Sequence, residues 1–151
     1  MSPSILNCTI LGRNNFPYFR VTTDSDSDIP GYTSVRNPEG TAVGLIEWKD
    51  QPMVEVRNVF GKQCVSKWLA LSCDAGHRIM KVAGEKYIWA PRKGAIYLYP
   101  AGTSTPELLA RIIRAANGTI SLEITPSAIS AGLLETCVVA TVLLQCGHKI
   151  D

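Results

Sequence analysis

The chain has 151 residues, 46% of them hydrophobic and 19% charged, with a net charge of +2. That length suits a single domain spanning 1–151 with a sizeable core, and the balance excludes both a disordered chain and a uniformly basic nucleic-acid binder. Five cysteines, Cys8, Cys64, Cys73, Cys137 and Cys146, form an odd set without short repeated spacing, which is the usage of a reducing compartment.

The N-terminus, MSPSILNCTILGR, has neither a basic n-region nor a long apolar stretch, so it does not read as a secretory signal and the expected location is cytoplasmic. Asn7-Cys8-Thr9 and Asn117-Gly118-Thr119 match the glycosylation sequon, but without secretion they read as chance and as a turn. From there the chain runs in short extended segments separated by turn formers. Candidate strands are Ser4 to Leu11, Tyr18 to Thr22, Tyr32 to Val35, Thr41 to Trp48, Met53 to Val59, Gln63 to Leu71, His77 to Val82, Glu85 to Ala90 and Ala95 to Tyr99. One strand per about ten to twelve residues is the spacing of a sandwich or barrel.

The acidic run DSDSD, Asp24 to Asp28, lacks the spacing, central glycine and terminal glutamate of an EF-hand and reads as a solvated loop. In PELLARIIRAANGTISLEI two periodicities compete. Leu108, Leu109, Ile112 and Ile113 recur at helical spacing, whereas Asn117-Gly118 before TISLEI is a hairpin signal. Two strands joined at Asn117-Gly118 are the favoured reading, and a short helix over Pro106 to Ala115 is the alternative.

The run ISAGLLETCVVATVLLQC, Ile129 to Cys146, carries Glu135 as its single charge. It is barely as long as the roughly 20 residues a membrane span needs, so a tail anchor is one reading. The other is a helix, 127–146, that is apolar on every side because protein surrounds it, with Leu133, Leu134, Val138, Val139, Val142 and Leu143 packed inside. Pro126 suits its start, Ser127 or Ser130 its cap, and Gly147 its end. A helix about 10–12 Å wide needs a barrel of more than eight strands, and the region before Pro126 offers about eleven or twelve. The expectation is therefore a mainly β fold, a closed antiparallel barrel of about twelve strands around a buried C-terminal helix.

The order GLIEWKDQPMVEV, VSKWL, GEKYIWAPRKGAIYLYP and GTISLEITPSAISAGLLETCVVATVLLQ, over roughly Gly44 to Gln145, resembles a fungal domain of unknown function related to the tubby C-terminal and LURP-one-like domains. The resemblance implies the same helix-threaded, tubby C-like barrel. In that superfamily tubby domains bind phosphoinositides through basic residues and scramblase-like members associate with membranes. No binding residue can be carried over position by position.

Charge is unevenly spread. Asp24 to Glu55 holds seven acids against Arg36 and Lys49, while Arg57 to Lys93 holds eight bases, Arg57, Lys62, Lys67, Arg78, Lys81, Lys86, Arg92 and Lys93, against Asp74 and Glu85. In YIWAPRKGAIYLY the cations Arg92 and Lys93 stand at a turn beside Trp89, Tyr97 and Tyr99. Cations next to aromatics suit anionic headgroups or a membrane interface; the plainer reading is a solvated wall with packed rings. The candidate ligand-binding residues are Arg92, Lys93, Lys86, Lys81, Arg78 and Trp89. Cys64, Cys73 and His77 are the minimum for thiolate chemistry, yet no nucleophile elbow, P-loop, dinucleotide fingerprint or paired metal-ligand spacing accompanies them. The expected function is a non-catalytic module without cofactor or metal that binds anionic lipid headgroups at a membrane surface or another anionic ligand. The alternatives are a protein-interaction barrel and a small enzyme with a barrel-mouth pocket.

Overall fold

The computed structural model of the chain describes residues 5–12, 15–24, 31–74, 76–102, 107–147 and 150. Of the acidic run Asp24 to Asp28, all but Asp24 lies outside the described residues, as do His148 and Lys149. The strands are β1 (Cys8–Leu11), β2 (Pro17–Asp24), β3 (Tyr32–Arg36), β4 (Ala42–Glu47), β5 (Met53–Val56), β6 (Phe60–Cys64), β7 (Leu69–Leu71), β8 (Arg78–Val82), β9 (Glu85–Arg92), β10 (Ala95–Pro100), β11 (Ala110–Arg114) and β12 (Ile120–Ile124). Three helices accompany them: α1 (Val65–Trp68), α2 (Pro126–Ser130) and α3 (Leu134–Gln145).

Strand pairing is antiparallel and sequential, β1 to β6 in one six-stranded sheet and β7 to β12 in another. This corrects the closed barrel expected from the strand count and from the tubby-like resemblance. The strands number twelve among the described residues, but β1 and β6 are edges of one open sheet and β7 and β12 of the other. A strand count sets how wide a barrel could be, whereas closure requires the edges to pair. The first meander stops because the segment read as one strand, Gln63 to Leu71, is β6, the single turn α1 and β7. In that turn Val65 and Trp68 are buried while Ser66 and Lys67 face solvent, a period near three that no strand can satisfy.

The chain divides into two compact units, Met1–Val65 with Val142–Asp151, and Ser66–Thr141. In the first, alternate residues of the sheet point inward, and the row Val21, Val35, Gly44 and Val56 crosses four strands in register. In the second, Trp89, Leu98 and Ala110 form the matching row, flanked by Met80 and Ile112. The hairpin at Asn117-Gly118 is present as β11 and β12, with Gly118 at φ 89°. The helical alternative over Pro106 to Ala115 is not what forms.

The apolar run expected as one helix, 127–146, is α2, a break and α3. Thr125, rather than Ser127 or Ser130, caps α2: its Oγ1 accepts from Ala128 N at 3.2 Å, with Pro126 in the first turn. Gly132 at φ 77° closes α2. Its N–H reaches Ile129 O at 3.0 Å and the Leu133 N–H reaches Ala128 O at 3.0 Å, the paired bonds of a Schellman end. Within α3 every residue from Thr136 to Leu143 is buried, more than two full turns, so protein encloses this stretch on all sides. The two threonines there are satisfied within the helix, Thr136 Oγ1 donating to Leu133 O at 2.9 Å and Thr141 Oγ1 to Cys137 O at 2.7 Å. Among the described residues no helix is long and apolar enough to cross a membrane.

Candidate functional site

The basic candidate ligand-binding residues, Arg78, Lys81, Lys86, Arg92 and Lys93, lie in the second unit, on or beside the hairpins that β9 makes with β8 and β10. Both hairpins have two-residue turns, Ala83-Gly84 at φ 51° and 83° and Lys93-Gly94 at φ 43° and 80°. Positive φ at both central positions is the turn whose twist matches the strands it joins. Such a turn fixes register. Lys81 therefore faces Lys86 directly across β8 and β9, and Arg92 faces Ala95 across β9 and β10.

Alternation then decides which side chains meet solvent. Along β9, Tyr87 and Trp89 point inward, so Lys86, Ile88, Ala90 and Arg92 share the outer face. Lys86 and Arg92 are six residues apart, about 20 Å along an extended strand. The cations therefore form two groups at opposite ends of one face, Lys81 with Lys86 at one end and Arg92 with Lys93 at the other. All four are exposed.

Two of the six candidates serve the core instead. Trp89 is 1% exposed and its Nε1 donates to Met80 Sδ at 3.3 Å. Arg78 shares the inward face of Met80 and Val82, is half-buried, and its Nη1 donates to Leu69 O at 2.9 Å. Trp89 is thus closed off by the core, while Arg78 keeps part of its side chain at the surface.

Between the two cationic ends the outer face is aromatic. Tyr97 and Tyr99 stack with centroids 6.3 Å apart and planes at 27°, and the Arg92 guanidinium lies 5.9 Å from the centre of the Tyr99 ring. That distance is within cation–π range, though Arg92 stays exposed. Opposite Tyr97 on β11 stands Arg111, whose Nε donates to Glu123 Oε2 at 3.0 Å while Nη2 pairs with the same oxygen. Glu123 first, and Tyr97 after it, raise the Arg111 pKa further above its already high value. Sequence reasoning missed Arg111 because the register that sets it beside Tyr97 depends on the β10–β11 pairing.

The residues considered for thiolate chemistry do not converge on a nucleophile. Around Asp74 the chain makes a tight turn: Asp74 Oδ1 accepts from Ser72 Oγ at 2.6 Å and from Gly76 N at 2.9 Å, and the Ser72 hydroxyl accepts from His77 N at 3.2 Å. The Ser72 hydrogen bond, then that of Gly76, holds the Asp74 carboxyl below its usual range. His77 Nδ1 lies 4.0 Å from Asp74 Oδ1, and neither Cys64 nor Cys73 hydrogen-bonds to a histidine among the described residues. In the first unit, Lys62 first and Lys49 after it hold the Glu47 carboxyl below its usual range. That acid of the 24–55 stretch is already neutralised.

Residues 3–149 match a family described as one of unknown function, DUF6593. The chain belongs to that family. No curated protein and no solved structure matches it.

Proposed function

We propose that the chain is a non-catalytic module that binds an anionic surface, the headgroups of acidic phospholipids, through the outer face of β8 to β10. The observation that carries the reading is the register placing Lys81 against Lys86, with Arg92 and Lys93 at the other end of the same exposed face. Like charges directly opposite on a ladder repel, and neither lysine is ion-paired among the described residues, so an external anion is the natural relief. The stacked Tyr97–Tyr99 pair between the cationic ends suits the interfacial level of a bilayer, where amphipathic rings settle.

The quoted motifs resemble a fungal group related to tubby and LURP-one-like domains, and phosphoinositide binding by tubby domains agrees with this reading. The location it implies is cytoplasmic and peripheral to a membrane, in keeping with five cysteines that are all free.

The test is retention on phosphatidylserine vesicles of two double variants, Lys81→Gln with Lys86→Gln, and Arg92→Gln with Lys93→Asn. Asn is chosen at 93 because it tolerates the left-handed conformation there. Each neutralised basic side chain near an acidic surface is worth about 1 kcal/mol, so each pair should weaken retention by more than tenfold. Retention equal to the parent protein in both variants would reject the reading.

A further inference from the structure

In the first unit, the end of the β1–β2 hairpin exposes three apolar side chains together: Leu11 at 54%, Phe16 at 57% and Tyr18 at 48%. Leu11 pairs with Pro17, the residue between Phe16 and Tyr18, so the three are gathered at one hairpin end; single exposed apolar residues are ordinary, whereas such a gathering marks an interaction site. This group is also built rather than incidental. The Gly12 N–H donates to Phe16 O at 2.8 Å, and the β1 register shifts between Ile10 and Leu11. Tyr18 lies against Gly12 so closely that a Cβ at residue 12 would stand 1.6 Å from its ring. Phe16 in turn meets Tyr18 edge to face at 5.8 Å and 66°. Glycine at 12 thus lets Tyr18 lie down, and Tyr18 supports Phe16 in the outward position.

The surroundings say what this tip faces. Along β2, Phe19 and Val21 are buried, so Tyr18 and Arg20 share the outer face. Arg20 stands directly opposite Arg36 of β3, and both are exposed. Arg36 Nη1 donates to Gly40 O at 3.0 Å, which fixes its direction without neutralising it. Two guanidiniums opposed on a ladder repel unless an anion stands over them, and guanidinium geometry matches phosphate. Apolar tip, phenol ring and then paired arginines follow in the order of a phospholipid interface from the inside out: acyl chains, ester carbonyls and glycerol, and phosphate.

We propose that the Leu11–Phe16–Tyr18 tip inserts into the interface of an anionic phospholipid bilayer, with Arg20 and Arg36 on the lipid phosphates. The proposal rests on the anionic-membrane reading above and adds to it a hydrophobic component that salt does not screen.

The native tryptophans Trp48, Trp68 and Trp89 are only 8%, 1% and 1% exposed, so they are shielded from lipid and leave room for a reporter. Phe16→Trp bound to phosphatidylserine vesicles with brominated acyl chains should lose much of its added fluorescence, while the parent protein is quenched little. Separately, Leu11→Ser with Phe16→Ser should reduce retention on these vesicles by roughly tenfold or more, with the melting temperature unchanged because both residues are exposed. If the parent protein binds and Phe16→Trp is not quenched, insertion is overturned while the cationic face of β8 to β10 stands. If Phe16→Trp is quenched and the lysine and arginine variants of that face bind like the parent, insertion stands and that face is rejected. Failure of the parent to bind anionic vesicles overturns both.

Discussion

Trp48 donates its indole N–H to the hydroxyl of Thr33 at 2.7 Å, and Thr33 is fully buried. The direction of the remaining bonds follows. Thr23 Oγ1 lies 2.7 Å from Leu6 O, a carbonyl that can only accept, so Thr23 donates there and must accept from Thr33 Oγ1 at 2.7 Å. One proton chain therefore runs from Trp48 through Thr33 and Thr23 to the backbone of Leu6, tying the N-terminal segment to β2, β3 and β4. Replacing Thr33 with the near-isosteric Val breaks it in the middle, removing the hydroxyl that accepts from the indole at 2.7 Å and donates on to Thr23. Thr33→Val should cost about 1–3 kcal/mol in urea unfolding, whereas Thr22→Val, on the half-buried outer face of β2 with a single bond to Ser34, should cost less.

Lys81 facing Lys86 makes an opposed prediction for stability and binding. Lys81→Glu turns a repulsive cross-strand pair into an attractive one, so unfolding should become harder by a few tenths of a kcal/mol at low salt. The same substitution should weaken retention on acidic vesicles. A variant more stable and less retained separates function from fold, and a loss of both would mean that Lys81 supports the sheet.

Burial in α3 pushes the Cys137 thiol up to about 12 from an ordinary 9.0. In the unfolded chain the thiol ionises above about pH 9, while in the folded protein it keeps its proton until about pH 12. The folded state therefore binds more protons across that window, and stability falls as pH rises through it. Urea midpoints from pH 8 to 10.5 should decline more steeply for the parent protein than for Cys137→Ala, even though the variant starts lower.

Gly132 ends α2 at φ 77°, and nothing lies within 4 Å of where its side chain would be. Space is thus no obstacle and conformation is the whole cost. Gly132→Ala should destabilise by about 1–2 kcal/mol, and Gly132→Asn by less, since asparagine visits the left-handed region more readily. Equal melting temperatures for all three would contradict the Schellman end.

The strands were legible where alternation was strict and a turn dipeptide bounded them. Ala83-Gly84 and Asn117-Gly118 marked their hairpins, and the burial of α3 followed from its unbroken apolar stretch. The barrel was not legible, because local pattern carries no information on whether the outer strands of a meander pair. The break was nonetheless written in VSKWL, where Val65, Trp68 and Leu69 recur at i, i+3 and i+4, the spacing of a helical turn. Of the six candidate binding residues, Trp89 and Arg78 fall on the inward face of their strands, which local pattern could not show: side-chain direction follows strand parity, and parity is fixed only once the neighbouring register is known. The exposed tip at Phe16 escaped notice because an apolar residue beside a turn reads the same whether it points in or out.

Flotation of the intact protein with neutral vesicles, acidic vesicles and acidic vesicles at high salt tests the central claim most directly. The account predicts retention on acidic vesicles alone, most of it released when salt shortens the screening length, with a residue held by the apolar tip. A protein that stays at the bottom of the gradient with acidic vesicles at low salt would contradict it.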